Sequence, residues 1–153
     1  MLYFAYGSNM QTEEIHRQEK CPGAVFTGTG YLINRKLVFN KKSTKWGRAA
    51  NIESSYGDTV YGVVYDLTVD EESSKLDNSE GGCHRIDVKV RMLPDRRLVD
   101  GFTYEADQDM ITSEGAVKQE YIDLLVDGAK EHGLPDEYVV CLKRYGQESC
   151  SMT

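Results

Sequence analysis

Short apolar runs, several of them alternating with polar residues, dominate the first two thirds of this chain and predict β-strands. The runs cover residues 2–6, 24–26, 31–39, 49–53, 59–67, 84–93 and 98–104. Turn-forming residues between them predict a turn at 54–58 and a hairpin across Pro94-Asp95, and the polar tract 41–48 is expected to be a loop. Because the runs follow one another through turns, the pattern predicts a mainly antiparallel sheet.

Helical patterns lie between the strands and at the end of the chain. The acidic start at Thr12 predicts a short helix, and Thr68-Val69-Asp70-Glu71 matches a capping box that opens a helix ending near Ser79, before two glycines. Apolar residues at helical spacing predict a long helix from a Ser113 cap to His132. The predicted fold is α+β, a single domain over residues 1–153 with a mainly antiparallel, barrel-like sheet.

The charge is unevenly distributed along the chain. The net charge is −7, made up of +5 over residues 1–50 and −12 over residues 51–153. A basic cluster around Trp46 consists of Arg35, Lys36, Lys41, Lys42, Lys45 and Arg48. Such a cluster could contact nucleic acid or guide an anionic ligand. Because the protein as a whole is acidic, a solvated hairpin is favoured and no nucleic-acid partner is expected.

Other features narrow the class of protein. No run approaches 18 apolar residues, and the N-terminus lacks the basic and apolar regions of a signal peptide, so no membrane partner is expected. The cysteines Cys21, Cys83, Cys141 and Cys150 are scattered, without metal-ligand spacing. We therefore expect free thiols in a reducing, cytoplasmic compartment, and neither a metal nor a cofactor.

Two short segments carry candidate chemistry. Tyr6-Gly7-Ser8-Asn9 joins a predicted strand to a helix, and such a turn can direct backbone N–H groups at an anion, although an ordinary turn explains the same residues. Glu80 stands at a predicted helix end, where the negative end of the helix dipole should raise the pKa of its carboxyl group. A raised pKa suits a general base, but the chain alone favours an exposed glutamate near a helix end. Cys83 is a conceivable thiolate nucleophile.

Four blocks in the right order resemble the γ-glutamylcyclotransferase family, which includes the AIG2-like proteins. They are the Tyr-Gly-Ser-Asn motif within residues 2–10, Gly-Asp-Thr-Val-Tyr-Gly-Val-Val-Tyr at 57–65, the Leu-Asp…Glu-Gly segment at 76–81, and the C-terminal region 121–142. The resemblance spans nearly the whole chain. It implies a small, mainly antiparallel β-barrel with flanking helices and a cavity at one end.

The resemblance also implies a reaction. The α-amine of a γ-glutamyl compound attacks its own γ-carbonyl, which forms 5-oxoproline and releases an amino acid or amine. Glu80 matches the family's catalytic glutamate and is expected to act as general acid and base. The expected substrate-binding residues are Tyr3, Phe4, Ala5, Tyr6, Gly7, Ser8, Asn9 and Tyr121. No cofactor or metal is implied, and the protein is expected to be a monomer or homodimer.

One departure from the family pattern follows the catalytic segment. Many members carry a longer loop with one or two tyrosines there, whereas here Gly81-Gly82 leads through Cys83 and His84 directly into the next strand. Three functions therefore stay open: a cyclotransferase for γ-glutamyl-amino acids, the same chemistry on another γ-glutamyl amine, and a non-catalytic module that binds a small ligand.

Overall fold

In the computed structural model, which describes residues 1–144, five strands form a closed barrel. The strands are β1 (Leu2–Ala5), β2 (Val25–Ser43), β3 (Gly47–Asp66), β4 (Cys83–Met92) and β5 (Leu98–Ala106). Their order around the barrel is β1-β3-β2-β4-β5, and neighbours are antiparallel except for β1 and β5, which close the barrel in parallel. The predicted α+β fold with a mainly antiparallel barrel is confirmed.

Short helices connect and cover the strands. They are α1 (Thr12–Ile15), α2 (Asp70–Ser79), α3 (Gln119–Glu131) and α4 (Asp136–Lys143), with 3₁₀ turns at Ser8–Met10 and Gln108–Met110. The first 3₁₀ turn follows β1 directly, and α2 connects β3 to β4. The C-terminal end of α2 and the turn after β1 are thereby brought to neighbouring positions.

Strand β3 is buried on both of its faces. Tyr61 packs its ring on Tyr138 of α4 with the ring centroids 5.2 Å apart, and the hydroxyl of Tyr65 donates to the carbonyl of Met10 at 2.7 Å. Val60 and Val64, on the opposite face, are fully buried. The sequence predicts one shared apolar face for this strand; the second is buried because a closed barrel also has an interior.

The hairpin of β2 and β3 is longer than the hydrophobic pattern predicts. The tract 41–48 was expected to be a loop, but backbone pairing continues to Ser43 opposite Gly47. The expected turn at 54–58 lies within β3, where a shift of register lets the backbone N–H of Gly57 donate to the side chain of Asn34 at 3.0 Å. The polar residues 41–43 form a strand because the ladder uses backbone groups, which every residue carries.

Two expected helix starts are wrong. Helix α3 begins at Gln119, with Lys118 as its N-cap, and Ser113 lies outside it. Helix α2 has Val69 as its N-cap, without a side-chain cap hydrogen bond, so Thr68 closes no capping box. Gly133 adopts a φ of 69° after α3, as its position at the helix end predicts.

The cysteines differ from the expectation in one respect. Cys21 and Cys83 are free, but Cys141 is disulfide-bonded, so the prediction of free thiols throughout is wrong. The argument from cysteines for a reducing compartment loses its support for that reason. Cys150 lies outside the described residues. None of the helices within residues 1–144 is both long enough and apolar enough to cross a membrane.

Candidate active site

A cavity of about 190 Å³ lies between the turn after β1, the end of α2 and the β2–β3 hairpin. We call it the pocket. Most of the expected site residues line it: Glu80, Tyr3, Tyr6, Gly7, Ser8, Asn9 and Tyr121. The tertiary structure thus brings together three segments that are far apart in the sequence.

Glu80 is the carboxylate of this pocket. It is the C-cap residue of α2, and its backbone N–H donates to the carbonyls of Leu76 and Asp77 at 3.0 and 3.3 Å. Burial raises the pKa of its carboxyl group above the ordinary value, although nearby Lys41, Lys20 and a hydrogen bond from Asn9 each lower it. The position of Glu80 at a helix end predicts a raised pKa through the helix dipole, whereas burial is the principal cause in the structure.

Asn9 connects the turn after β1 to Glu80. Its side-chain amide nitrogen donates to Glu80 Oε1 at 3.0 Å and to the hydroxyl of Tyr3 at 3.2 Å. Its amide oxygen accepts from Lys20 Nζ at 2.6 Å. With both donors and the oxygen engaged, the Asn9 side chain has one orientation, and it fixes one oxygen of the carboxylate. The sequence predicts a role for the backbone N–H groups of this segment, and only the structure adds the side chain of Asn9.

A second set of contacts anchors helix α2 beside the pocket. Arg85 on β4 forms a salt bridge with Asp77 on α2, with nitrogen and oxygen 2.8 Å apart. The hydroxyl of Tyr104 on β5 donates to the same Asp77 oxygen, and Tyr104 itself lines the pocket. Since Asp77 precedes Glu80 by less than one helical turn, these contacts hold the end of the helix that presents the carboxylate.

Tyr121 reaches the pocket from α3. Its hydroxyl accepts a hydrogen bond from the backbone N–H of Ala50 at 3.0 Å, and its ring centroid lies 5.4 Å from that of Trp46. A Cβ atom on Gly7 would lie 3.5 Å from the Tyr121 hydroxyl. The tyrosine thus forms the wall that faces the turn after β1.

Two of the expected substrate-binding residues lie elsewhere. Phe4 and Ala5 are fully buried and do not line the pocket. The carbonyl of Phe4 accepts from the hydroxyl of Thr103 at 2.7 Å, and the Phe4 ring packs against Gly62. Their position in the structure is the barrel core, where β1 pairs with β3.

Sequence reasoning did not assign Lys20, Lys41 or Trp46 to the site. All three line the pocket. Lys41 and Trp46 belong to the basic cluster, which was interpreted as a solvated hairpin with an anionic ligand as the alternative. Placing them in the pocket required knowing that β2 and β3 extend as a paired hairpin past residue 40.

Cys83 and His84 follow the two glycines after Glu80, and the two side chains occupy different environments. Cys83 lines the pocket, where burial raises the pKa of its thiol to about 11, so the thiolate is scarce at neutral pH. His84 is half-exposed outside the pocket, with its ring nitrogens 2.8 Å from Asp107 and 3.3 Å from Glu105. Neither arrangement activates a nucleophile.

No group of three or more His, Cys, Asp or Glu side chains within residues 1–144 is arranged to hold a metal ion. The titratable side chains that line the pocket are Tyr3, Tyr6, Lys20, Lys41, Glu80, Cys83, Tyr104 and Tyr121. Glu80 is the single carboxylate that the described residues contribute to this lining. A reaction in this pocket can therefore use one carboxylate for proton transfer and the turn after β1 for anion binding.

The pattern of similarity to known proteins agrees with this geometry. The AIG2-like family matches residues 59–142, more than half of the chain. The γ-glutamylcyclotransferase of Mus musculus is 37% identical over 147 residues, which cover 93% of this chain and 77% of the mouse protein. The human γ-glutamylcyclotransferase is 38% identical over 151 residues, with coverages of 93% and 77%.

The fold agrees as well. A solved structure of a γ-glutamyl cyclotransferase superposes with a TM-score of 0.82 at 35% sequence identity, covering 94% of this chain and 86% of that one. Sequence similarity over most of the chain and a shared barrel lead to the same assignment: the chain belongs to the γ-glutamylcyclotransferase family and is an enzyme of that type.

Proposed function

We propose that this enzyme converts γ-glutamyl compounds to 5-oxoproline, with Glu80 as the general acid and base. The observation that carries the proposal is the position of Glu80, whose carboxyl group lies in the pocket with Gly7, Ser8 and Asn9 and has a raised pKa. The nucleophile is the α-amine of the substrate. The enzyme therefore needs no nucleophile of its own, in agreement with the raised pKa of the Cys83 thiol.

The first step needs a base. The substrate amine arrives as an ammonium, and Glu80 accepts one of its protons. The neutral amine then attacks the γ-carbonyl carbon and forms a five-membered ring with an oxyanion. Holding the two reacting groups together contributes much of the rate, since intramolecular orientation is worth roughly 7–11 kcal/mol.

The second step needs an acid and a site for negative charge. The backbone N–H groups at the start of the 3₁₀ turn have no acceptor within the turn itself, and this segment lines the pocket. We assign them to the oxyanion or the substrate carboxylate. Glu80 returns its proton to the leaving nitrogen, and the carbon–nitrogen bond breaks as the oxyanion forms the carbonyl again. The ring nitrogen, which still carries the second proton of the former ammonium, gives that proton to Glu80, and Glu80 passes it to the released amine. 5-Oxoproline and the amine in its ammonium form then depart, and the carboxylate of Glu80 is regenerated.

Release of 5-oxoproline from a panel of γ-glutamyl compounds tests the proposal. The panel contains γ-glutamyl-alanine, γ-glutamyl-lysine linked through the ε-amine, and a simple γ-glutamyl alkylamine. We expect 5-oxoproline and the free amine in equal amounts from at least one compound, measured by chromatography. A well-folded protein that binds a panel member but releases no 5-oxoproline would instead favour the non-catalytic ligand-binding module.

The pH dependence tests the role of Glu80. Only the ionised carboxylate can accept the proton, so kcat/KM falls as the pH drops through the pKa of Glu80. We call this fall the acid limb of the plot of kcat/KM against pH. Because the pKa of Glu80 is raised, we expect the midpoint of the acid limb above the ordinary pKa of glutamate, about 4.3. The positive charge of Lys20 lowers the pKa, so Lys20→Met should move the acid limb to higher pH.

The matched control for the pH profile is Arg17→Met. Arg17 forms a salt bridge with Glu14, as Lys20 does, but it does not line the pocket. We expect its acid limb to coincide with that of the parent enzyme. An acid limb that stays in place in Lys20→Met would contradict the assignment of this limb to Glu80.

A further inference from the structure

A second cavity adjoins the pocket. This groove, of about 770 Å³, lies between the end of the β2–β3 hairpin and the segment that follows β5. Lys41 and Ser43 line both the pocket and the groove, so the two spaces meet at these side chains. The pocket alone is smaller than the roughly 300 Å³ at which typical small-molecule sites begin. A γ-glutamyl compound with a sizeable leaving group would therefore extend past Lys41 into the groove.

The two lysines of the pocket differ in their surroundings. Lys20 lies 3.6 Å from a Glu14 oxygen and donates to Asn9, so a carboxylate already accompanies its charge. Lys41 has no carboxylate within salt-bridge distance among residues 1–144, and its side chain is hydrogen-bonded to Cys83. Glu80 is the acidic group of the pocket that faces it, as the electrostatic effect of Lys41 on this carboxylate shows.

The groove itself offers little to offset the charge of Lys41. The charged residues that line it, within the described part of the chain, are Lys41, Lys42 and Glu114, which leave a net positive charge. In the proposed reaction Glu80 becomes protonated once it has taken the substrate's proton. At that stage the ammonium of Lys41 faces a neutral carboxyl group, and an anionic group on the substrate would be stabilised beside it.

We propose that Lys41 is a specificity-determining residue, which selects γ-glutamyl compounds whose leaving amine carries a carboxylate and binds that carboxylate where the pocket opens into the groove. The inference rests on the proposed function. It assigns the recognition of the leaving group to one residue, because an amino-acid leaving group carries a carboxylate that Lys41 can bind and a simple amine does not. Lys41 is thereby the member of the basic cluster to which we assign a role in substrate recognition.

A pair of nearly identical substrates tests the inference. γ-Glutamyl-alanine carries a carboxylate on the leaving group, and γ-glutamyl-alaninamide replaces it with a neutral group of similar size. We expect the parent enzyme to favour the acid in kcat/KM by about tenfold, the effect of one charge-assisted hydrogen bond. In Lys41→Met this ratio should fall to near one, mainly through a higher KM for the acid, whereas Lys41→Arg should retain most of it.

The ratio of kcat/KM for γ-glutamyl-alanine to kcat/KM for γ-glutamyl-alaninamide reports on substrate recognition and not on the chemical step. Lys41 also influences the pKa of Glu80, so its removal will change kcat, but this change is common to both substrates and cancels in the ratio. Lys36→Met is the matched control, because Lys36 lies on the same strand and lines neither cavity. We expect its ratio to equal that of the parent enzyme.

The outcomes are distinguishable. If the parent enzyme releases 5-oxoproline from both compounds at equal efficiency, or if Lys41→Met keeps the parent ratio, the role of Lys41 is wrong and the proposed function stands. If neither compound nor any other panel member yields 5-oxoproline, the proposed function is wrong and the inference fails with it.

Discussion

Glu80→Gln should reduce kcat for 5-oxoproline release by roughly 10²–10⁴-fold, the usual contribution of a general acid or base. Glutamine keeps the shape of the side chain and can still accept the hydrogen bond that Asn9 donates to Glu80 Oε1. It cannot take a proton from the substrate ammonium or return one to the leaving amine. The measurement is steady-state turnover of the best panel substrate, with KM determined separately, and substrate binding should be largely retained.

The same variant makes a prediction about stability. Burial raises the pKa of Glu80 in the folded protein, so the ionised carboxylate disfavours folding at any pH above that pKa. Below the unfolded pKa the group is protonated in both states and the effect disappears. Relative to the parent, Glu80→Gln should therefore become more stable as the pH rises from 4 to 8, as thermal unfolding can measure.

A control on the same helix separates catalysis from a general effect of charge. Glu71 lies in the first turn of α2, is exposed, and does not line the pocket. Glu71→Gln removes one carboxylate in the same way and should leave kcat at the parent value. Parent-level turnover in Glu80→Gln would refute the catalytic assignment.

Gly62→Ala should destabilise the protein by about 3 kcal/mol, the upper part of the range for overpacking a core. A Cβ atom on Gly62 would lie 2.4 Å from the backbone carbonyl oxygen of Ala5 and 2.6 Å from the ring of Phe4. The neighbouring residue Val63 pairs with Ala5, so β1 cannot move away without breaking its ladder with β3. Urea denaturation followed by circular dichroism measures the loss.

A second glycine supplies the control for that measurement. Gly81 has no heavy atom within 4 Å of the position its Cβ would take, so Gly81→Ala should change the free energy of unfolding by less than about 0.5 kcal/mol. Since β1 leads directly into the turn at Gly7, the folded fraction of Gly62→Ala should also show reduced kcat/KM. An unchanged urea midpoint in Gly62→Ala would show that β1 can shift without cost.

Much of the architecture could be predicted because it depends on local patterns. The alternation of apolar and polar residues predicted most of the strands. The turn residues Pro94-Asp95 predicted the hairpin of β4 and β5, and apolar residues at helical spacing predicted α3 up to its end before Gly133. The clearest error lies where backbone pairing continues through polar residues, as at 41–43. There the hydrophobic pattern carries no signal, because any residue can contribute a backbone N–H and carbonyl.

Part of the candidate site could also be predicted, through family resemblance and not through local patterns. The Tyr-Gly-Ser-Asn turn and Glu80 were singled out by their resemblance to one family, and their chemistry alone would have left ordinary structural explanations open. Their catalytic and binding roles remain predictions. Phe4 and Ala5 belong to the same segment but do not line the pocket, because neighbouring strand residues can differ in whether they reach it.

The sequence by itself determined the fold class and the family, and it singled out Glu80 as the candidate carboxylate. Only the tertiary structure decided that Asn9 fixes Glu80, that Cys83 faces the pocket while His84 does not, and that Lys41 stands between the pocket and the groove. It also decided why the pKa of Glu80 is raised, since burial depends on every element packed around the group. These cases have one physical reason. The periodicity of apolar residues specifies which face of a helix or strand is buried. Which distant residues meet at that face is decided by the closure of the barrel and the packing of the helices around it.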